Sequence, residues 1–121
     1  MKVYLAARFS DRPQMESVAD TLKAKGYDIV SRWVYGGETG LTRQQIAVLD
    51  LADVEIADIV ISYTQVHGTL TKGGGRHVEF GYALARGKQL VLIGDRENVF
   101  HHYPNVSVFP TLDAWLNSLA A

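Results

Sequence analysis

The run Asp58-Ile59-Val60-Ile61-Ser62-Tyr63 constrains the fold more than any other stretch of this chain. It is β-branched and apolar on both faces, the mark of a central strand covered on each side. Such strands belong to parallel sheets, so the flanking segments have to supply helices for both faces. Lys2 to Ala7 and Gln89 to Gly94 share the short apolar character and read as further buried strands. Tyr27 to Trp33 reads as a second strand, and Val106 to Phe109 as a short final one.

Helical patterns fill the intervals. Ser10 or Asp11 is placed to cap a helix with Pro13 near its first turn and Met15, Val18, Ala19, Leu22 and Ala24 on its apolar side, ending at Gly26. After the glycine-rich loop from Val34 to Gly40, Thr42 is placed to cap a second helix reaching about Ala57, with Ile46, Leu49, Val54 and Ala57 among its buried positions. A third opens at Gly73-Gly74-Gly75, where the backbone can turn tightly, and presents Val78, Tyr82 and Ala85 as one apolar face. Gly87 suits a left-handed cap at its end, with the cation Lys88 beside it. Thr111 caps a last helix that turns Leu112, Trp115, Leu116 and Leu119 to the core. Five strands alternating with four helices predict a single α/β domain over residues 1–121, its parallel sheet covered by right-handed crossovers.

Composition narrows the partners. A formal charge of −1 gives no reason to expect nucleic acid. No 18-residue apolar run suggests a membrane span, and Met1 to Arg8 is unlike a secretory signal. The absence of cysteine excludes disulfides and thiolate metal sites and fits a cytoplasmic protein.

In a parallel sheet, ligands sit beyond the strand C-termini, near the point where strand order reverses. That edge gathers Ala7 to Asp11, Trp33 to Gly40 and Thr64 to Glu79, with Asp50 leaning in from its helix. Glu79 falls in or near a first helical turn, where a carboxylate is either a nucleophile or ordinary helix-end electrostatics. Asp50, Asp53, Glu55 and Asp58 oppose the dipole preference at a helix C-terminus, so at least one has a further task; Asp53 and Asp58 read as helix-end or strand caps. Phe9, Trp33 and Tyr35 offer aromatic walls, and Trp33 and Tyr35 either stack on a base or complete the core. His67, His77, His101 and His102 lack the i, i+4 spacing of helical zinc sites and read as surface or site-rim residues, so no metal is expected. Gly73-Gly74-Gly75 lacks a phosphate-loop pattern, although Lys72 can meet an anion. Two carboxylates and aromatic walls are the parts needed to cleave a glycosidic bond.

Asp50-Leu51-Ala52-Asp53-Val54-Glu55-Ile56-Ala57-Asp58-Ile59-Val60-Ile61, followed by Gly75-x-x-x-Glu79-x-Gly81-Tyr82-Ala83, resembles the nucleoside 2-deoxyribosyltransferase family. Val3-Tyr4-Leu5-Ala6-Ala7 with Phe9-Ser10-Asp11-Arg12 is similar to that family's first strand and loop. The resemblance implies a flavodoxin-like (Rossmann-like) three-layer sandwich with a five-stranded parallel sheet. It also implies a homo-oligomer, a dimer or higher, whose sites a neighbouring subunit completes. It matches Glu79 to the nucleophile that forms a covalent deoxyribosyl intermediate, Asp50 to an acid that holds or protonates base or sugar, and Tyr4 to a tyrosine that orients the nucleophile. Ala7, Arg8, Phe9, Ser10, Trp33, Gly73 and Gly75 are the expected substrate contacts, and no metal or organic cofactor is needed.

Two departures stand out. Gly73 occupies the position where the transferases usually carry an aspartate that helps bind sugar or base, and the chain ends at Ala121 without the longer tail by which they complete a neighbour's site. The related 2′-deoxynucleoside 5′-monophosphate N-hydrolases share the fold and pass the sugar to water, holding the 5′-phosphate with a serine and an arginine for which Ser10 and Arg8 are candidates. The expected activity is therefore deoxyribosyl transfer between bases, with nucleotide hydrolysis as the alternative. A nucleotide-binding or sensing module without turnover is the reading from a different class.

Overall fold

The computed structural model describes residues 1–64 and 74–119. Along the chain run β1 (Lys2–Ala6), α1 (Arg12–Ala24), β2 (Asp28–Ile29), α2 (Arg43–Ile56), β3 (Ile59–Tyr63), α3 (Gly75–Ala85), β4 (Gln89–Ile93), β5 (Val106–Phe109) and α4 (Leu112–Ser118). Three short 3-10 turns, Phe9–Asp11, Arg32–Tyr35 and Val99–His102, sit in the connections. Among the described residues the strands make one five-stranded sheet in the order β2-β1-β3-β4-β5, every pair parallel. Val3 pairs with Ile59, Ile61 with Val91 and Leu92 with Val108. This is the flavodoxin-like order, and it reverses between β1 and β3.

The layers follow from that reversal. A right-handed crossover from β1 out to β2 puts α1 on one face, and the crossovers through β3 and β4 put α2 and α3 on the other. Side chains agree: Tyr82 Oη of α3 donates to Glu55 of α2 at 3.1 Å, while the Tyr27 ring after α1 packs 5.8 Å from Trp115 of α4. The core lies between, with β1, β3 and β4 supplying Val3 to Ala6, Ile59 to Ile61 and Leu90 to Leu92, all buried.

Local signals explain the helix ends. Thr42 and Gln45 form a reciprocal capping box, Gln45 N donating to Thr42 Oγ1 at 3.2 Å and Thr42 N to Gln45 Oε1 at 2.9 Å. Gly87 follows α3 at φ +70°, the left-handed conformation expected of it. Lys88 serves a different helix, its Nζ donating to Glu55 O near the end of α2 at 2.6 Å. Thr111 Oγ1 accepts from Ala114 N at the start of α4. Asp11 stands at the N-cap of α1, but its carboxylate is engaged by Arg8 rather than by the helix.

Several expectations are corrected. The second strand is only two residues long: after Val30, the Ser31 hydroxyl takes the Leu5 N–H at 3.1 Å and the chain coils into the Arg32–Tyr35 turn. The inner face of α3 is Arg76, Glu79, Phe80 and Ala83, with Val78 62% exposed and Ala85 exposed, because the helix turns its charged residues toward the strand ends. Ala24 and Leu119 are exposed at helix ends, and Ile46 and Leu49 are only half-buried. Among the described residues no helix is long and apolar enough to cross a membrane.

Candidate functional site

A cavity of about 760 Å³ opens at the reversal point beyond the C-terminal ends of β1 and β3. Ala7, Arg8, Phe9, Ser10 and Arg12 line it after β1, and Trp33, Gly36, Glu38 and Thr39 after β2. Arg43, Ile46 and Asp50 come from α2, and Gly74, Gly75, Arg76 and Glu79 from the start of α3. The expected contacts Ala7, Arg8, Phe9, Ser10, Trp33 and Gly75 thus converge with Asp50 and Glu79. Gly73, Lys72 and His67 lie outside the described residues.

Glu79 is 9% exposed and fixed from below by Tyr4, which is buried in β1 and whose hydroxyl donates to Glu79 Oε2. It lies just past the first turn of α3. With Gly74 at the N-cap, no acidic residue occupies the first turn, so the unsatisfied N–H groups there do not set its charge. Burial pushes the Glu79 carboxyl up to about 8, the Tyr4 hydrogen bond pulls it down and the nearby Asp50 charge pushes it up again. Burial, then the charges of Glu79 and Asp50, push the Tyr4 phenol well above its ordinary value, so it remains a donor.

Asp50 is half-buried on α2 and meets a partner the sequence reading missed, Glu38. Burial first and Asp50 second raise Glu38 to about 8. Burial also raises Asp50, while its interaction with Glu38 draws it back. Glu38 Oε2 and Asp50 Oδ1 are buried and receive no donor from the described residues. Glu38 could have been suspected as the acidic residue inside the glycine-rich loop after β2. Gly36 at φ +77° gives that loop its turn, under the Arg12 guanidinium.

The aromatic wall depends on a buried polar scaffold. Asp53, 1% exposed, accepts from Arg32 N at 3.1 Å, Nε at 3.0 Å and Nη2 at 2.7 Å, so a side chain takes over from the sheet ladder as acceptor where β2 stops. This is a larger role than a helix-end cap. Asp58 is the strand cap expected of it, accepting from Lys2 N at 2.8 Å. Trp33, next to Arg32, is 4% exposed and donates Nε1–H to Leu5 O at 2.8 Å while also lining the cavity, so it both completes the core and forms a wall. Phe9, 69% exposed, stands 6.4 Å from it at the mouth. Tyr35 is not part of the wall: its hydroxyl donates to Asp20 and its ring packs under Lys23, both on α1.

Four arginines face the cavity. Arg8 is paired with Asp11 at 2.8 Å, and Arg76, buried, with Glu97 at 3.1 Å. Arg12, Arg43 and Arg76 were missed because charged residues on helices read as solvated faces until the topology aims them at one edge. His101 is not a rim residue but fully buried, accepting from Glu97 N through Nδ1 and packing edge-on to Phe80.

No protein-family model matches the sequence, and no curated protein matches it. Solved structures do. The Clostridium botulinum CMP N-glycosidase BcmB superposes with a TM-score of 0.71 over 99% of this chain and 98% of that one, at 21% identity. A 2-desoxiribosyltransferase from Leishmania mexicana superposes with a TM-score of 0.69 over 98% and 97%, at 16% identity. At such identities the likeness establishes the fold, and that fold agrees with the resemblance carried by the motifs.

Proposed function

We propose that this chain is an enzyme that cleaves the N-glycosidic bond of 2′-deoxynucleosides through a covalent Glu79-deoxyribosyl intermediate and passes the sugar to another base. The observation that carries this reading is the buried Glu79 carboxylate, held by Tyr4 on the wall of a cavity that also contains Asp50. Tyr4 occupies one carboxylate oxygen and leaves the other to attack C1′. As the C1′–N bond breaks, its electron pair goes to the base, which takes a proton from the acid side of the cavity. A second base, or water, then displaces Glu79 from the opposite direction, and two inversions retain configuration. Trp33 and Phe9 provide the faces on which a base stacks. Both structural neighbours are named for this bond class, one as a deoxyribosyltransferase and one as an N-glycosidase. A binding module has no need of a carboxylate held away from water by a tyrosine.

A second reading, hydrolysis of a 5′-monophosphate, is favoured by Arg12 and Arg43 on the cavity wall and by the nucleotide named for the first neighbour. Association into a homo-oligomer is supported by Val48 and Ile56 of α2 and Val78 of α3, large apolar side chains left exposed on adjoining helices.

Chromatography of products from each deoxynucleoside and its 5′-monophosphate, with and without a second free base, tests these readings. A new nucleoside formed only with acceptor supports transfer, and free base with released sugar or sugar phosphate supports hydrolysis. If no substrate reacts, or the Glu79→Ala protein reacts equally well, the enzymatic reading is wrong.

A further inference from the structure

Three carboxyl groups, Glu38, Asp50 and Glu79, open into one cavity. The known role of each cation nearby limits how they are balanced. Arg8 is committed to Asp11, Arg32 to Asp53 and Arg76 to Glu97, leaving Arg12 and Arg43 as the remaining cavity-wall cations among the described residues. Among the described residues none of these five, nor any other group, donates to Glu38 Oε2 or Asp50 Oδ1, two buried carboxyl oxygens on the wall of the same cavity whose side chains act on each other. Two neighbouring carboxyls buried without a donor repel when both are ionised, and a proton held between them removes that repulsion and gives each an interaction.

We infer that Glu38 and Asp50 share one proton and that Glu38 is a second catalytic residue of this site, the member of the pair that supplies the departing base with its proton. The inference rests on the N-glycosidic reading above. When Glu79 attacks C1′, the C1′–N electron pair moves onto the base and the shared proton follows it, leaving both carboxyls of the pair ionised. When water or an acceptor base attacks the intermediate, the Glu79–C1′ bond breaks with its electrons returning to Glu79, and the proton lost by the attacking group restores the pair. Each cycle is thus balanced without another reagent. The raised affinity of Glu38 for its proton, from burial and from the charges of Asp50, Glu79 and Asp53, keeps the pair loaded at neutral pH. Tyr4, on the far side of Glu79, holds its own proton and does not compete as the donor.

The discriminating substrates are 2′-deoxyguanosine and its 5′-monophosphate beside the 7-methylated form of each, whose cationic base departs neutral without a proton. Glu38→Gln keeps the size and a hydrogen bond to Asp50 but has no acidic proton. It is expected to lose roughly 100-fold or more in kcat on the ordinary substrates and less than about 3-fold on the methylated ones. Equal losses on both would make Glu38 a structural residue and overturn the inference, as would wild-type rates in the variant. The proton is read independently of turnover by 13C NMR of labelled Glu and Asp carboxyls in the full chain. One coupled pair with its upper step near 8, replaced by a single lower step in Glu38→Gln, supports sharing. Two independent titrations in the ordinary carboxylate range overturn sharing whether or not the protein turns over. A wild type inactive on every nucleoside and nucleotide, with the coupled titration intact, overturns the donor role together with the enzymatic reading but leaves the shared proton standing.

Discussion

Tyr4 and Glu79, separated by 75 positions in the chain, meet through a buried hydrogen bond from the Tyr4 hydroxyl to Glu79 Oε2. The contact ties strand β1 to the helix that leaves its neighbour β3, the central strand, so the carboxylate is aimed by the sheet itself. Because the bond favours the ionised form, it works against the burial that raises Glu79.

Tyr4→Phe is therefore expected to act on charge more than on shape. The ring still fills its buried position, but Glu79 loses the interaction that lowers its pKa. In the proposed mechanism the ionised carboxylate is the attacking form, so kcat/KM is expected to rise with pH through the Glu79 titration, and that rising limb should move to higher pH in the variant. At neutral pH a loss of about 10- to 100-fold follows from the smaller ionised fraction and a looser orientation. A pH–rate profile measures both. An unshifted limb would show that Tyr4 does not tune the carboxylate.

Glu79 also carries a stability signature. Its folded value of about 8 lies above that of an unfolded glutamate, about 4.3, so between those values the folded chain binds more protons than the unfolded one. Stability from this group is consequently full below about pH 4 and lost as pH rises to about 8. Glu79→Gln removes the penalty. Its unfolding free energy in urea should match wild type at pH 4.5 within about 1 kcal/mol and exceed it at pH 9 by something on the order of 3 kcal/mol. A difference independent of pH would mean that Glu79 titrates normally.

Much of this site was legible because function and fold leave different marks. The β-branched run at Ile59 to Ile61 and the Thr42 capping signal are local, and both elements form where the sequence places them. Glu79, Asp50 and Tyr4 were legible through a motif resemblance, and parallel topology then carries them to one edge. The inner face of α3 was misread for a physical reason: periodicity assumes that the apolar side faces in, whereas here Arg76 and Glu79 take the inner positions and Val78 is left outside. The shortened β2 was misread because Tyr27 to Trp33 is apolar enough for a strand, and only the tertiary donors and acceptors Ser31, Asp53 and Leu5 decide where it coils. Glu38 had no local signal beyond its loop, since its partner Asp50 is supplied by another element.

The Asp53 scaffold predicts a loss of stability that spreads to substrate binding. Asp53→Ala leaves the Arg32 N–H without its acceptor and releases the turn that seats Trp33. Chemical denaturation should show a loss of about 2–3 kcal/mol, with KM rising because Trp33 is no longer held at the wall. Asp53→Asn keeps an oxygen for the Arg32 N–H and should recover part of the loss. Equal losses in both variants would assign the whole effect to the ion pair instead of the backbone bond.

Arg12 and Arg43 decide between the nucleoside and nucleotide readings. Both line the cavity, from the first turn of α1 and the first turn of α2, where a dianionic phosphate would also meet the favourable ends of two helix dipoles. If the substrate carries a 5′-phosphate, Arg43→Ala and Arg12→Ala should each raise KM for the monophosphate about 10-fold or more while leaving kcat within about 3-fold, the pattern of lost uniform binding. The nucleoside KM should stay within about 2-fold, and the monophosphate effect should shrink as ionic strength rises and screens the exposed charge. Parallel changes for nucleoside and monophosphate would remove phosphate recognition from these two residues and favour the transferase reading, in which sugar and base supply the binding energy alone.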